Sequence, residues 1–335
     1  MRKILIIAPS WVGDTVMAQP LFKRLHERYP GLVLDVLAPA WTLPLLKHMP
    51  EVHDVIPNPF GHGELKLSAR YRLGKALCEH RYDQAITLPN SLKSALIPFF
   101  AGIPVRTGFV GEMRWGIIND ARHLDEKALP LMVERFAQLA EEKSAPLHRP
   151  VPSAALVVNE TARQQTLKML GLAPKKPVAA FCVGAEYGPA KRWPASHFSE
   201  LAQLLADRYE VWLVGSAKDK EIGENVRQLS GDNCINLCGK TGLSEAIDLL
   251  ASASLVISND SGLMHVAAAL NKPMVALYGS SSPGFTPPLS DRARIVGLNL
   301  ACSPCFKREC PLEHFNCMVQ LSPEMVLQEI EKFAQ

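Results

Sequence analysis

The sequence lacks several features that would place it in a familiar class of protein. No stretch of about 18 consecutive apolar residues occurs among its 335 residues, so we expect no membrane-spanning helix. The N-terminus runs from charged residues straight into an apolar strand, without the hydrophobic region and small-residue cleavage site of a secretion signal. The formal net charge of +3 is far below that of a dense Lys/Arg stripe. We therefore expect a soluble cytoplasmic protein that binds no nucleic acid, and the mild basic excess weakly favours an anionic ligand.

Two common nucleotide-binding motifs and a pattern of secreted proteins are also missing. No G-x-x-x-x-G-K-[ST] phosphate loop occurs, and no G-x-G-x-x-G turn follows the first apolar run. The second absence argues against a nucleotide-sugar epimerase or dehydrogenase built on a Rossmann half. Eight cysteines without an export signal indicate reduced thiols rather than a disulfide framework. A non-catalytic protein that binds a sugar nucleotide is a further alternative.

What the sequence does contain is an alternation of short aliphatic runs with helical periodicity, which is typical of α/β folds with mostly parallel sheets. Strands are predicted at residues 3–8, 32–37, 85–88 and 105–109, and again at 178–183, 210–214, 255–258 and 273–278. Helical patterns cover residues 15–29, 91–100, 132–142, 195–208, 244–253 and 262–270. Pro20 lies inside the first helical pattern and predicts either a kink or a helix that starts nearer Gln19.

A polar, proline-bearing break at residues 144–155 divides the two series of strands. The chain is long enough, and at 47% hydrophobic residues apolar enough, for two domains. We expect an N-terminal domain over residues 1–152, a second over 153–320, and a C-terminal helix within 321–335 that packs back on the first domain. No internal sequence repeat is evident, so the two halves resemble each other in architecture only. A cleft is expected between them.

The first of three polar turns at predicted strand ends is "SWVGD", residues 10–14. Ser10 follows the strand, Gly13 permits a tight turn or a close backbone approach, and Asp14 stands where the next helix begins. An aspartate in that place is most often an ordinary helix N-cap. A helix N-terminus also attracts phosphate, so a carboxylate there raises the question of a second role.

The second polar turn is "VGAEYGPAKRWP", which follows the strand ending at Val183. Gly184 and Gly188 free the backbone, while Lys191 and Arg192 arrive together before the next helix. Such a loop offers backbone N–H groups and cations to a pyrophosphate. A surface loop with solvated charges fits the same pattern equally well.

The third polar turn is "NDSGLMH", after the strand at residues 255–258. Asp260, Ser261 and the exposed N–H groups at the start of a helix can bind sugar hydroxyls and phosphate together. A plain cap explains Asp260 or Ser261 but does not explain His265 as well. The following strand ends in "YGSSSP", which adds another hydroxyl-rich turn at the same edge of the sheet.

These motifs together resemble those of one family. "APSWVGD", "GAEYGPAKRWP", "NDSGLMHVAAAL" and "PMVALYGSSSPGFTPPL" are similar to the motifs of the ADP-heptose:lipopolysaccharide heptosyltransferases, and the resemblance covers nearly the whole chain. It implies a GT-B fold, with two Rossmann-like domains that hold mainly the acceptor and mainly the nucleotide sugar, respectively. The acceptor-side segments favour the heptosyltransferase II branch, which adds L-glycero-D-manno-heptose to the first heptose of the inner core. A heptosyltransferase I acting on the heptose-free acceptor, or a member with another sugar, is the alternative.

The resemblance also implies roles for individual residues. Asp14 falls on the family's proposed catalytic base, and Lys191 falls on its phosphate-binding lysine. Asp260, Gly262 and His265 fall on the donor motif, and we group with them the neighbouring donor-side candidates Gly184, Glu186, Arg192 and Ser261. Asp219 in "GSAKD" and Thr241 in "GKTGL" are candidates for the donor ribose or adenine. The transfer requires no metal on this account, because cations and a helix N-terminus balance the leaving ADP.

The implied acceptor is a phosphorylated, lipid-linked core oligosaccharide, presented at the cytoplasmic face of the inner membrane. The first domain should therefore be basic where it meets the acceptor. Ser10, Gly13 and Asn90 are candidates for the acceptor side, with Asn90 placed to orient sugar hydroxyls and Gly13 giving the acceptor room to approach. The basic candidates near the motifs are Lys66, Arg70, Lys93, Arg106 and Arg114. Each basic residue taken alone is more often a solvated surface charge.

One segment stands apart from these motifs. In "ACSPCFKRECPLEHFNCM", Cys302, Cys305, Cys310 and Cys317 are spaced C-x2-C-x4-C-x6-C, and four thiolates can enclose Zn²⁺ tetrahedrally. A structural zinc site and four free thiols are the two leading interpretations, and a disulfide pair is the third. Some relatives resemble this cysteine-bearing tail and others lack it, so catalysis should not depend on it.

Overall fold

Two parallel sheets organise the chain, one in each of two units, Met1–Ala154 and Ala155–Gln335. The computed structural model describes residues 1–61 and 63–333. The division falls after Ala154, beside the predicted boundary at residue 152. Among the described residues, no helix combines the length and the apolar character needed to cross a bilayer.

The first unit contains one six-stranded parallel sheet flanked by helices. Its strands are β1 Lys3–Ile7, β2 Val33–Pro39, β3 Asp54–Asn58, β4 Gln84–Thr87, β5 Val105–Phe109 and β6 Asp120–Arg122. Its helices are α1 Val12–Arg28, α2 Leu43–Leu46, α3 Leu67–Leu77, α4 Leu92–Phe100 and α5 Met132–Gln138. The strand order is β3-β2-β1-β4-β5-β6, so the direction of winding reverses between β1 and β4.

The second unit repeats this architecture. Its strands are β7 Val178–Cys182, β8 Glu210–Val214, β9 Cys234–Asn236, β10 Leu255–Asn259, β11 Met274–Tyr278 and β12 Ala293–Gly297. Its helices are α6 Glu160–Met169, α7 Ala195–Leu205, α8 Lys220–Leu229, α9 Leu243–Ser252, α10 Gly262–Ala269, α11 Asn316–Val319 and α12 Pro323–Glu331. The order is β12-β11-β10-β7-β8-β9, and the winding reverses between β7 and β10.

The central strands form where the sequence has continuous aliphatic runs, because both faces of a parallel sheet are covered by helices. Every residue of β7, β10 and β11 is buried, and so are four of the five residues of β1. The eight predicted strands all occur, within two residues of their expected bounds. Four strands were not predicted: β3, β6, β9 and β12, which lie at the outer edges of the two sheets and are only partly buried.

Helix α1 starts earlier than one of the two interpretations of Pro20 required. It begins at Val12 and runs through Pro20 without interruption, so a start near Gln19 is wrong. The helix tolerates the proline because Leu21, Phe22 and Leu25 are almost completely buried beside it. Packing of an apolar face outweighs the loss of one main-chain hydrogen bond.

The C-terminal helix α12 belongs to the second unit. Its buried side chains Val326 and Ile330 join the apolar cluster that contains Phe181, Trp193 and Leu213. The helix packs on α7 and on strands β11 and β12. Its apolar stripe thus completes the core of the sheet that precedes it, and packing of the C-terminal helix on the first domain stays a prediction. Ala334 and Gln335, at the end of the predicted segment, lie outside the described residues.

Candidate functional site

Both sheets place polar loops at the point where their winding reverses. In open α/β sheets this is where ligands bind, because the loops after the two central strands diverge and leave a crevice. In the first unit this crevice lies between the loops after β1 and β4, and in the second unit it lies between the loops after β7 and β10. The three polar turns singled out in the sequence all lie at these two places. We describe the two units separately.

The crevice of the first unit is a cavity of about 300 Å³. Ser10 and Trp11 line it from the loop after β1, Asp14 lines it from the first turn of α1, and Asn90 lines it from the loop after β4. Three further side chains that line the cavity come from helix α5, namely Met132, Arg135 and Phe136. The sequence predicted this helix but did not connect it with the site. The signal available for these residues was their spacing on one face of a helix, which reveals burial but not which cavity the helix covers.

Asp14 is not the N-cap of α1. Trp11 holds the cap position with extended backbone angles and no capping side chain, and Asp14 is the third helical residue. Its half-buried carboxylate therefore stands inside the first turn and lines the cavity. A carboxylate in the first turn is favoured by the helix dipole. Gly13, one residue earlier, is buried in the same turn.

Two of the arginines predicted to face the acceptor are bound to the protein's own main chain. Arg114 is buried and donates to the carbonyls of Pro89 and Phe109 and, at 3.2 Å, to Asn90 Oδ1. Arg106 donates to Ile117 O and Ile103 O, each at 2.6 Å. Burial lowers the pKa of both guanidinium groups. Main-chain carbonyls thus accept two of the five N–H donors of each guanidinium, and a role of either arginine in acceptor binding stays a prediction.

The remaining basic candidates of the first unit are also not part of the cavity wall. Arg70 is buried and donates to the carbonyls of Glu64, Leu65 and Lys93, and Lys66 is paired with Glu64 at 2.9 Å. The side chain of Lys93 is half-buried at the start of α4. Asn90, which lines the cavity and is held by Arg114, keeps its predicted place.

The crevice of the second unit is organised by an ion pair. Lys191 Nζ lies 2.5 Å from Asp260 Oδ2, and the two residues come from the loops after β7 and β10. The carboxylate side chain is only 4% exposed and the lysine 17% exposed. An ammonium group has three donors, so Lys191 keeps donors for a ligand while it holds Asp260. The structure thus brings together the two residues that the sequence placed on separate turns.

Asn259 joins the same two loops and was given no role from the sequence. It is fully buried, and its Nδ2 donates to Val183 O at 2.9 Å while its Oδ1 accepts from the backbone N–H of Trp193 at 3.0 Å. The side chain therefore clamps both ends of the loop that carries Lys191. The signal was present in the "ND" pair at the end of an apolar strand, where a buried amide must find partners.

His265 is a buried neutral residue on the first turn and a half of α10. Burial lowers its pKa to about 4, against the opposing effect of the Asp260 carboxylate. The imidazole therefore adds no positive charge beside Lys191 near neutral pH. Ser261 holds the N-cap position of the helix and Gly262 begins it, so backbone N–H groups face the end of β10.

The other predicted donor residues of the second unit divide into two kinds. Asp219 accepts from Ser216 N and Oγ at 2.9 and 2.7 Å, so it caps its own turn, and its carboxylate fills the space next to Gly184, where a Cβ would overlap it. Its role at the donor ribose or adenine stays a prediction. Glu186 is half-exposed and paired with Lys218. Thr241 Oγ1 and Arg192 Nε are buried, without a hydrogen-bond partner among the described residues.

The hydroxyl-rich turn after β11 lies at the same edge of the sheet. Ser280 and Ser281 are buried, and neither Oγ has a hydrogen-bond partner among the residues that the structure describes. Buried hydroxyls are normally satisfied, so unpaired ones at a ligand-binding edge indicate a polar environment completed from outside the chain. The loop thus has the composition that the sequence predicted for it.

In the described part of the chain, no group of three or more His, Cys, Asp or Glu side chains is arranged to hold a metal ion. All eight cysteines are free thiols. Hydrogen bonds from backbone N–H groups lower the pKa of the Cys310 thiol, and the largest contribution comes from the N–H of Phe315. Cys317 is buried against Gly279. Burial raises the pKa of Cys317, and the neighbouring Cys305, Cys302 and Cys310 raise it further, so the four cysteines lie near one another. The zinc interpretation of Cys302, Cys305, Cys310 and Cys317 stays a prediction beside that of free thiols.

Comparison with known proteins gives one consistent answer. The sequence profile described as Glycosyltransferase family 9 (heptosyltransferase) matches residues 70–316. Lipopolysaccharide heptosyltransferase 2 of Escherichia coli K12 is 49% identical over 98% of this chain and 97% of its own. The solved structure of E. coli ADP-heptose LPS heptosyltransferase II has a TM-score of 0.89, with 46% identity and 98% of each chain covered. By contrast, lipopolysaccharide heptosyltransferase 1 of Pseudomonas aeruginosa is 26% identical over 98% of this chain and 97% of its own. The expected GT-B fold is confirmed.

Proposed function

Because the chain belongs to glycosyltransferase family 9, we propose that it transfers L-glycero-D-manno-heptose from ADP-heptose to the first heptose of the lipopolysaccharide inner core. The observation that carries the proposal is the pair of sites at the two reversal points, one presenting a carboxylate and the other a lysine held on a buried aspartate. The identity of 49% to an E. coli heptosyltransferase 2 supports this branch over heptosyltransferase I.

We propose that the second unit binds the donor. Lys191 offers its remaining ammonium donors to the diphosphate, and the backbone N–H groups at the start of α10 add a partial positive charge. Arg192 lies beside Lys191 and contributes a second cation. His265 stays neutral, so it places the donor by shape and hydrogen bonding rather than by charge. The unpaired hydroxyls of Ser280, Ser281 and Thr241 are candidates for contacts with sugar or ribose.

In this proposal the first unit binds the acceptor and Asp14 acts as the base. The Asp14 carboxylate takes the proton of the acceptor hydroxyl while the hydroxyl oxygen attacks the anomeric carbon of the donor. In the same step the bond from that carbon to the diphosphate breaks. ADP leaves with the bonding electron pair, and Lys191 and Arg192 balance its charge, so no metal ion is required. A single displacement of this kind inverts the anomeric configuration. Ser10 and Asn90, which line the cavity with Asp14, are suited to orient sugar hydroxyls.

An acceptor-preference experiment tests the proposal. The protein is incubated with ADP-heptose and either a mono-heptosylated or a heptose-free core acceptor, and released ADP is measured. We expect release with the mono-heptosylated acceptor only. Release with the heptose-free acceptor alone would move the assignment to heptosyltransferase I, and release with neither would contradict glycosyl transfer to this core.

We also propose that the first unit contacts the cytoplasmic face of the inner membrane, where its lipid-linked acceptor lies. The supporting feature is an aromatic–cation surface formed by Tyr71, Lys75, Phe99, Phe100 and Arg106. Tyr71 and Phe99 are 48% and 43% exposed, and each ring packs on Phe100. Lys75 Nζ lies 5.6 Å from the centre of the Tyr71 ring, and Arg106 Cζ 5.5 Å from that of Phe99.

The charge of helix α3 matches an anionic bilayer. The helix exposes Arg72 and Lys75 and carries no carboxylate, and Leu67 at its start is 51% exposed. Exposed aromatic rings beside lysine and arginine suit the boundary between lipid headgroups and acyl chains. We expect the double variant Tyr71→Ser/Lys75→Glu to lose co-sedimentation with phosphatidylglycerol vesicles. The control Leu204→Ser, at an exposed position of the second unit, should sediment like the parent protein. Equal sedimentation of all three would contradict this contact.

A further inference from the structure

The cysteine-bearing segment, residues 301–317, lies against the loop that carries Lys191. The backbone N–H of Ala190 donates to Arg308 O at 3.1 Å, and the Tyr187 hydroxyl donates to Phe306 O at 3.0 Å. A Cβ at Gly188 would overlap the main chain of Arg308, so glycine is needed for this close approach. The sequence alone indicated no role for this segment outside metal binding.

The same segment is attached to the loop after β11. Phe306 N donates to Ser280 O at 2.7 Å, and Ser303 Oγ donates to Gly279 O at 2.5 Å. Strands β7 and β11 are not neighbours, because β10 lies between them. The segment therefore connects the loops on either side of β10, whose own loop presents Asp260.

Tyr187 contacts both the cysteine-bearing segment and Lys191. Its ring centre lies 5.1 Å from Lys191 Nζ and 5.2 Å from the guanidinium carbon of Arg308. Lys191 Nζ is thus held by two groups, the aromatic ring and the Asp260 carboxylate. The ring in turn is fixed by its hydroxyl on Phe306 O. A long lysine side chain has many rotamers, so two contacts that hold its ammonium reduce what a ligand must order on binding.

We propose that Tyr187, mounted on the cysteine-bearing segment, is a positioning residue for Lys191. The inference rests on the proposed function of Lys191 as a ligand of the donor diphosphate. The cysteine-bearing segment then serves the donor site through its main-chain carbonyls and through Arg308. The ring provides the cation–π contact, and the hydroxyl sets the place of the ring.

Binding of ADP alone, measured by calorimetry, tests the proposal without depending on turnover. We expect Tyr187→Leu to weaken ADP binding about 5-fold, as the loss of one cation–π contact implies. Tyr187→Phe, which keeps the ring, should recover most of that loss. The control Leu312→Ala removes an exposed side chain from the same segment and should bind like the parent protein. Thermal unfolding of each variant establishes that it is folded.

A double-mutant cycle separates positioning from a general structural effect. If Tyr187 acts through Lys191, Tyr187→Leu should change ADP affinity by less than about 2-fold in a Lys191→Ala background. An equal loss in both backgrounds, or unchanged binding by Tyr187→Leu alone, would overturn the proposal. If the parent protein and Lys191→Ala bind ADP equally, the proposed donor site itself is wrong, and that outcome is distinct from a failure of Tyr187.

Discussion

The ion pair of Lys191 and Asp260 should respond unequally to the loss of its two members. Lys191→Met leaves a carboxylate that is 4% exposed without its cation, which costs about 3 kcal/mol because a buried charge has lost its compensation. Asp260→Asn leaves an ammonium on a flexible stem that is 17% exposed. That group can turn towards solvent, so the cost is about 1 kcal/mol.

Tryptophan fluorescence during urea unfolding can measure this difference in stability, because it reports on the second unit, which holds the ion pair. Trp193 and Trp212 are fully buried in the second unit, whereas Trp11, Trp41 and Trp115 in the first are 40%, 50% and 75% exposed. The red shift on unfolding therefore reports mainly on the second unit. With a slope of about 2 kcal/mol per molar urea, the midpoint should fall by about 1.5 M for Lys191→Met and by about 0.5 M for Asp260→Asn. A larger loss for Asp260→Asn would refute the assignment of the carboxylate as the more deeply buried charge.

Three further outcomes follow from the same site. The pKa of His265 is about 4 in the folded chain and 6.5 in the unfolded chain, so the unfolded state binds the proton first as the pH falls. The free energy of unfolding should therefore decrease from pH 6.5 to pH 4, by at most about 3 kcal/mol. A His265→Gln variant with the same acid dependence would show that another group is responsible. Gly184→Ala should destabilise the second unit by about 2 kcal/mol, since the new Cβ displaces the Asp219 carboxylate. In the control Gly61→Ala, the new Cβ meets only ordinary contacts, so stability should be nearly unchanged. Equal unfolding midpoints of the two variants would contradict the overlap between a Cβ at residue 184 and Asp219. A chelator of zinc should leave the thermal unfolding and ADP release unchanged, and a loss restored by added zinc would show that the cysteines hold a metal after all.

The central strands and the polar turns were predictable for simple physical reasons. A strand covered on both faces must be apolar throughout, so β1, β7, β10 and β11 appear as uninterrupted aliphatic runs. Polar residues directly after such runs fall at one edge of the sheet. The edge strands lack this signal: β6 is three partly buried residues, and β12 has three exposed residues of five.

The arginines of the first unit show what a sequence does not contain. Their positions near the motifs were apparent, but the direction of each guanidinium depends on carbonyls that distant segments bring close. Arg114 binds Pro89 O, 25 residues earlier, and Arg70 binds Lys93 O, 23 residues later. A long cationic side chain can serve a ligand or the fold, and only the surrounding main chain decides between them.

Asn259 and helix α5 were missed for a related reason. The amide of Asn259 binds groups 76 and 66 residues away, so its value as a clamp exists only once β7 and β10 pair. Arg135 and Phe136 line the first cavity because α5 packs on α1, which no local pattern reveals.

Asp14→Asn provides the most direct test of the proposed mechanism, because it keeps the shape of the side chain while removing its basicity. ADP binding, which we assign to the second unit, should stay within about 2-fold of the parent protein. The rate of heptose transfer to the mono-heptosylated acceptor should fall about 100-fold or more, as the loss of a general base predicts. Transfer that persists at most of the parent rate would contradict the assignment of Asp14 as the base.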